Sequence, residues 1–464
     1  MPGQRATSES QLERVPFRDA FRFWLLLGFI NFGGPTGQIA MMHQELVARR
    51  RWISDARFLH ALNYCMLLPG PEAQQLAVYV GWLLHRTIGG IVAGTLFVLP
   101  AFFVLLGLSW VYAVHGSVPW IAAIFYGLRA GVIAIVVAAV IRIGARALRR
   151  PVLMAVAGTA FAGLFLFKIP FPVLVIGAGL FGLIVTRAWP AAFALRDTPG
   201  APGGRGGEPE SVIRDDTPSP EHTRPTVRRA VTVLVVCLAV WWVPLAAVIA
   251  WRGWDDVLAQ EAIFFSKAAM VTFGGAYAVL AYIAQAAVEY YGWITTPDML
   301  AGLGLAESTP GPLILVTEFV GFLGAFRHPG GLDPAVAGVL GAVVTVWATF
   351  VPSFLWIFLG APFIEQLRGN AYLTGALSAI TAAVVGVILN LAVWFAFHTL
   401  FAAVIEIPTL GSIVTLPVFA TVDWSAVLIA AVAFVGMWRL GWGIIPVVIG
   451  SAVAGLILRG IPMR

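Results

Sequence analysis

Charge is what this chain has least of. Only 11% of its 464 residues are Asp, Glu, Lys or Arg, against 59% hydrophobic residues and a mean hydropathy of +0.88. A soluble domain carries roughly 25% charged residues, so most of the solvent around this chain must be lipid. Lysine is nearly missing: Lys168 and Lys267 are the only two. The net charge of +6 therefore comes from arginine. It reads as the positive-inside bias of a membrane protein, and no nucleic-acid partner is expected. Cysteine is scarce as well. Cys65 and Cys237 are too few for a disulfide framework or a zinc site. A Walker A sequence is absent, as is any metal-spacing motif, so neither nucleotide hydrolysis nor a cofactor is expected. Met1–Pro16 is polar, without the apolar stretch of a signal peptide. The expectation is a chain that starts in the cytoplasm and stays in a bacterial-type inner (plasma) membrane.

What is abundant is apolar length. Runs long enough to cross a ~30 Å hydrocarbon core recur at about 89–114, 118–143, 151–168, 170–190, 230–251, 335–361, 372–400, 423–439 and 441–459. They lack the alternation of barrel strands. The fold class read from this is an all-α polytopic membrane protein of about 13 hydrophobic segments.

Two short words occur twice. Phe32-Gly33-Gly34 precedes Pro69-Gly70-Pro71 by 37 residues, and Phe273-Gly274-Gly275 precedes Pro310-Gly311-Pro312 by the same 37. One offset of 241 also lays Trp52-Ile53 on Trp293-Ile294, and an offset of 252 later lays Pro100 on Pro352. A shared register over this length marks a duplicated unit. The domain reading follows: a first repeat at 1–190, a disordered cytoplasmic linker at 191–229, an extra apolar segment at 230–252, and a second repeat at 253–464. The linker is rich in Pro, Gly and charge, and tethering is the role expected of it.

The extra segment has a topological consequence. Four spans return the chain to its starting side and one more crosses over, so the second repeat should be inverted, as in many secondary transporters. The arginines agree: Arg142, Arg146, Arg149, Arg150 and Arg187 fall on one expected side, and the acidic turn Asp255-Asp256 on the other. The segments holding the two words could be full spans broken in the middle or re-entrant hairpins. Arg49-Arg50-Arg51 favours hairpins, which keep that cluster inside.

Gly-Gly and Pro-Gly-Pro break helices, since Gly costs roughly 1 kcal/mol and Pro roughly 3 kcal/mol in a helix interior. Broken backbone at membrane depth survives only against protein or a watery cavity. Matched breaks in two halves are therefore pointers to a transport site. Pro71 and Pro312 suit the first position of new helices. Up to four helix N-termini would then converge, with free N–H donors suited to an anion.

These words also carry a resemblance. The run Phe32-Gly33-Gly34-Pro35-Thr36-Gly37-Gln38-Ile39-Ala40-Met41-Met42-His43, the segments Arg51-Trp52-Ile53-Ser54 and Pro69-Gly70-Pro71-Glu72-Ala73-Gln74-Gln75, and Ser308-Thr309-Pro310-Gly311-Pro312 resemble the chromate ion transporter family in its long, two-domain form. The resemblance covers nearly all of the chain outside the linker. It implies efflux of chromate, a tetrahedral dianion like sulfate, and chromate resistance. Two departures stand out: Pro35 has Ala276 opposite it and Glu72 has Leu313, so the halves are not equivalent. The rivals are a sulfate or other oxyanion transporter or exchanger and, more remotely, a membrane-embedded enzyme. For the enzyme, His60, Glu72 and Ser308 form no recognisable set.

Candidate substrate-binding residues are Gly33, Gly34, Asn63, Gly70, Glu72, Gln74, Gln75, Arg129, Gly274, Gly275, Ser308, Thr309, Gly311 and Thr381. Arg129 lies inside an apolar span, where its fork suits an oxyanion; the plainer role is a structural partner for a carbonyl or a Glu. Thr381 stands opposite it in the second repeat. Asn63, Gln74, Gln75, Ser308 and Thr309 could bind oxyanion oxygens or merely satisfy freed backbone. Glu72, Glu307 and Glu318 are candidates for ion coupling, with helix capping as the plainer role. The lipid bilayer is a partner by composition, sulfate is a second candidate substrate, and a homodimer is left open.

Overall fold

Aspartate and proline open the helices. The Asp256, Asp333 and Asp423 side chains accept from N–H groups in the first turn of the helices that follow them, and Pro119, Pro151 and Pro334 stand at first helical positions. Each pre-empts donors that a helix start leaves free. The computed structural model describes residues 15–32, 34–66, 68–188, 212–213, 226–273, 276–363, 371–409 and 412–459. Gly33, Gly274, Gly275 and most of the expected linker lie outside the described residues.

The first repeat opens with short helices: α1 (Phe17–Ile30), α2 (Gly34–His43, continued by a π-helical turn Gln44–Arg49) and α3 (Asp55–Cys65). α4 (Glu72–His115) is bent back on itself at His85 and Arg86. Its limbs, 72–84 and 87–115, pack so closely that a Cβ on Gly81 would lie 2.4 Å from the Gly89 carbonyl oxygen. Three helices follow: α5 (Pro119–Ala147), α6 (Pro151–Phe167) and α7 (Phe171–Ala188). α8 (Val227–Arg252) stands alone in sequence, and Val231, Val235 and Val243 expose one face of it.

The second repeat uses the same order: α9 (Val257–Met270), α10 (Ala276–Gln285, continued by a π turn Ala286–Tyr290), α11 (Thr296–Ser308), α12 (Val316–Arg327, preceded by a 3₁₀ turn Leu313–Leu315), α13 (Pro334–Gly360), α14 (Ala371–Leu400), α15 (Trp424–Arg439) and α16 (Ile444–Arg459). Among the described residues six helices are long and apolar enough to cross a membrane: α4, α5, α7, α8, α13 and most of α14. The chain is a helical polytopic membrane protein, and among the described residues one other element of regular structure occurs. An antiparallel β-hairpin, β1 (Val404–Thr409) and β2 (Ser412–Pro417), joins α14 to α15 where no element was expected.

The two tips between the words are superposable in their hydrogen bonds. Arg50 N–H donates to the Glu45 carbonyl and Trp52 N–H to that of Leu46, at 2.8 Å each. Tyr291 N–H donates to Ala286 at 2.8 Å and Trp293 N–H to Ala287 at 2.9 Å. One of these tips holds a piece of the expected linker. Ile213 N–H donates to the Trp52 carbonyl at 3.1 Å, and Ser54 N–H to the Ile213 carbonyl at 2.9 Å.

The long helices are exchanged between the repeats. α5 packs on α15 and α16, and α14 packs on α6 and α7. Small residues allow it: a Cβ on Gly127 would reach the Ser451 carbonyl oxygen, and one on Gly386 the Ala157 carbonyl oxygen. Gly127 faces Ser451 and Gly455 while Gly131 faces Ser451 and Val447, so α5 and α16 are antiparallel. Leu153 meets Ala379 and Ala382 while Ala157 meets Gly386, so α6 and α14 are parallel. Gly144 near the end of α5 lies against Val385 in the middle of α14, while Tyr126 near the start of α5 and Leu400 at the end of α14 pack on one cluster. α5 and α14 therefore run in opposite directions.

Candidate functional site

Both Pro-Gly-Pro glycines adopt left-handed backbone, with φ of +121° at Gly70 and +114° at Gly311. L-residues avoid that region because of their Cβ, so the words need their glycines. The prolines beside them, Pro71 and Pro312, cap the next helices rather than occupying the first helical position. That is one residue earlier than expected. In the second repeat the helix also begins as a tighter 3₁₀ turn.

Each glycine then bonds to the break of the other repeat. Gly70 N–H donates to the Thr272 carbonyl at 2.8 Å, and Gly311 N–H donates to the Asn31 carbonyl at 3.3 Å. Asn31 and Thr272 are the residues before the two Phe-Gly-Gly words, related by the same offset of 241. The side-chain neighbours match too. A Cβ on Gly70 would lie 3.1 Å from Ser353 Oγ, and one on Gly311 would lie 2.4 Å from Ala101 Cβ. Ala101 and Ser353 each follow the proline inside a long helix, Pro100 or Pro352. The four broken elements thus meet in two crossings, one a counterpart of the other.

Amide side chains fill the crossings. Gln38 Nε2 donates to the carbonyls of Asn31 (2.9 Å) and Gly311 (2.6 Å). Asn31 Nδ2 donates to Phe97 O at 3.2 Å, and Gln75 Nε2 to Pro69 O at 2.8 Å. Asn31, Gln38 and Gln75 are fully buried. Their amide oxygens, and Ser353 Oγ, have no hydrogen-bond partner among the described residues. Buried polar atoms are ordinarily paired; these four, three amide acceptors and one hydroxyl, are not. The starts of α2, α4, α10 and the 3₁₀ turn before α12 all fall within a few residues of the two crossed bonds. Their free N–H groups add positive potential there.

A second polar cluster lies at the other end of α11. Arg129 Nη2 donates to Tyr112 Oη at 3.4 Å, and Tyr112 donates to Asp298 Oδ1 at 2.8 Å. Arg327 holds Asp298 by two bonds of 2.6 and 3.0 Å. Arg129 Nε is buried without a partner. Asp298 and Ser308 are ten residues apart on α11, about 15 Å along its axis. Arg129 therefore reaches toward the far end of α11 and not to the crossings.

The structure gathers some of the expected residues and separates others. Gly70, Gln75 and Gly311 are at the crossings, with Gly34 at the start of α2. Glu72 is half-buried in the first turn of α4. Gln74 Nε2 lies 3.5 Å from the Gly94 carbonyl between the limbs of α4. Ser308 and Thr309 spend their hydroxyls on their own helix, on the carbonyls of Leu305 (2.9 Å) and Ala306 (3.4 Å). Glu307 accepts a bond from Tyr277, with Arg142 near enough for its charge to act on both. Glu318 is fully buried and both its carboxyl oxygens lack partners. Thr381 is half-buried within α14. The Asn63 side chain lies outside the described part of α3. Asn31, Thr272 and Ser353 were not expected. Their signal was their place beside the repeated words and the repeated proline.

Crossed, mirrored breaks inside a bundle of apolar helices define a polytopic membrane protein of the transporter class. The chain belongs to the chromate transporter family, which matches residues 18–183 and 259–456. A probable chromate transport protein of Synechococcus elongatus is 27% identical over 438 residues, covering 94% of each chain. The chromate transport protein of Cupriavidus metallidurans is 26% identical over 392 residues, 84% of each chain. That of Pseudomonas aeruginosa is 29% identical over 458 residues, 97% of this chain and 94% of its own. No solved structure matches the chain.

Proposed function

We propose that this protein is a secondary transporter that exports chromate from the cytoplasm across the bacterial inner membrane and so confers chromate resistance. The observation that carries the reading is the pair of crossed bonds, Gly70 N–H to Thr272 and Gly311 N–H to Asn31. They join broken backbone of the two repeats in two crossings inside the apolar bundle, beside buried amides whose N–H groups are bonded to carbonyls and whose oxygens lack partners. Chromate is a dianion of oxygen acceptors. Helix-start N–H groups, the Ser353 hydroxyl and amide N–H groups released from their carbonyls would hold it there. Arg129, joined to Tyr112 and Asp298, would draw the anion toward the crossings from one end of α11.

The opposed directions of α5 and α14 support inverted repeats, with the N-terminus and linker cytoplasmic. Alternating access would then be the exchange of one repeat's crossing for the other. The membrane potential favours the export direction. A dianion leaving a negative interior gains about 4.6 kcal/mol per 100 mV. Glu72, Glu307 and Glu318 are the candidate coupling groups from the sequence.

The test is radiolabelled chromate flux in proteoliposomes under an imposed potential, with and without sulfate on the opposite side and a pH gradient. Saturable chromate flux that follows the potential supports the reading. Flux of sulfate with exclusion of chromate would replace chromate by sulfate as substrate, and no flux of either under any gradient would sink it.

A further inference from the structure

One buried carboxyl has no part in the site described above. Glu261 lies on α9, fully buried, and neither of its carboxyl oxygens has a hydrogen-bond partner. It sits in a cradle of glycines on two other helices. A Cβ on Gly324 of α12 would lie 2.8 Å from Glu261 Oε1, and one on Gly341 of α13 would lie 3.0 Å from Oε2. Any other residue at either place would press on the carboxyl.

The charged groups around it do not pair with it. On its own helix, Asp256 is a like charge at the N-cap, and Lys267 is exposed further along. Arg252 of α8 is bound to Asp256 by bonds of 2.8 and 3.1 Å, while Arg228 and Arg229 lie at the opposite end of α8. On α12, Arg327 is committed to Asp298, Glu318 is another carboxyl, and His328 at the helix end has its Nδ1 3.1 Å from the Gly324 carbonyl; on α10, Tyr277 is bound to Glu307. α13 carries no ionisable residue from 334 to 360. An unpaired carboxylate in such a place is strongly disfavoured, and taking up a proton removes that cost.

Packing does not require a glutamate here. The offset of 241 puts Ala20 at the matching position of the first repeat, equally buried, on a helix that packs on the second limb of α4 as α9 packs on α13. The first repeat builds the same contact with a methyl group. The second retains a carboxyl that makes no bond, and its nearest glycine, Gly324, has that carboxyl as its closest neighbour, whereas Gly341 also lies against the Gly321 carbonyl, 2.3 Å from where its Cβ would be.

We propose that Glu261 is the proton-binding site of the transporter, loaded with one proton in the state seen here and emptied when the contact among α9, α12 and α13 loosens. This rests on the transport reading above and names its coupling ion. The way to water is short: Glu261 is five residues, about 7.5 Å along the helix, from the Asp256 cap, where Arg252 also bonds the Gly330 carbonyl at 2.6 Å. On the expected topology that end faces outward. A proton bound there and released inward, with chromate moving outward, is antiport.

Two measurements test this. Dicyclohexylcarbodiimide modifies protonated carboxyls in apolar surroundings, and peptide mass spectrometry of the reconstituted protein reads the site. Glu261 should be modified, and the extent should fall as pH rises. An unmodified Glu261, or one whose modification ignores pH while the fold is retained, overturns the proposal. The second measurement is the ratio of pH-gradient-driven chromate flux to chromate–chromate counterflow. In Glu261→Gln this ratio should fall by roughly tenfold, the size of an ordinary coupling between sites. Glu261→Ala, the first repeat's own solution, serves if the Gln variant does not fold. A ratio equal to wild type in the variant overturns the proposal. Wild-type protein without counterflow would sink the transport reading instead, while the carbodiimide result would still decide whether Glu261 binds a proton.

Discussion

Gly311→Ala attacks the crossings at their tightest point. Two costs add there. The backbone at φ +114° is a region only glycine enters freely, worth of order 1–3 kcal/mol for an L-residue. The new methyl would also lie 2.4 Å from Ala101 Cβ, far inside the 3.5–4.0 Å optimum for carbon atoms. Relieving it means shifting the α4 limb, an overpacking cost of about 1–3 kcal/mol. The sum is roughly 2–6 kcal/mol, enough to open the crossing or unfold the second repeat. Gly70→Ala carries the same backbone strain at φ +121°, but its methyl meets the flexible Gln75 amide at 2.8 Å and Ser353 Oγ at 3.1 Å. Its clash should be the cheaper of the two. The assay is thermal unfolding in detergent together with chromate flux, on Gly70→Ala, Gly311→Ala and the double variant Gly311→Ala with Ala101→Gly. The expected order of stability is wild type, then Gly70→Ala, then Gly311→Ala. Ala101→Gly should recover the steric part and leave the backbone part. Gly311→Ala with wild-type melting and flux would refute the crossed geometry, and an Ala101→Gly change that restores nothing would refute its contact with Ala101.

Other outcomes follow from the same structure. Arg49→Cys and Tyr290→Cys are exposed, matched positions on the two tips. In a background with Cys65 and Cys237 replaced, a membrane-impermeant maleimide should label them from opposite sides, and labelling from one side would reject the inversion. Arg129→Ala should slow chromate flux and leave equilibrium affinity at the crossings near wild type, since Arg129 acts on the approach and not at the crossings; full flux in the Ala variant would remove Arg129 from the path. Asp423→Ala removes the cap of α15, the acceptor of Tyr126 and the partner of Arg459. It should lower stability by about 0.5–2 kcal/mol without changing chromate affinity, read by melting and binding together.

Asp423 also sets an acid limit. Burial alone would raise its pKa, but the Tyr126 hydroxyl, the Ala426 N–H and Arg459 outweigh that and hold the carboxyl below the usual range. Its contribution is therefore present above the unfolded value and is lost as pH falls through the folded one.

The long spans were legible because they depend on composition over twenty residues. The reading 118–143 became Pro119–Ala147, and 372–400 became Ala371–Leu400. The hairpin Val404–Pro417 was not legible by that means, since its alternation covers only six residues between apolar runs. The repeated words located the breaks, because Gly and Pro act on their own backbone. What the breaks bond to is set by distant chain. Asn31 is bound to Gly311 and Thr272 to Gly70, and no local pattern specifies such partners. Arg129 was legible as a charge in an apolar span, but its partner Tyr112 on α4 was not. Glu261 carried the same signal as Arg129. The sequence does not single it out, because α9, at 14 residues, is too short to read as a span.

The central claim is that the crossings hold the oxyanion. Equilibrium binding of radiolabelled chromate to purified protein tests it most directly, comparing wild type with Gln38→Leu and Ser353→Ala. Gln38 ties Asn31 to Gly311, and Ser353 faces Gly70. The account predicts saturable binding in the wild type and a loss of roughly tenfold or more in each variant whose melting remains cooperative, the size expected for one lost polar contact to a charged ligand. Unchanged affinity in both folded variants would contradict it.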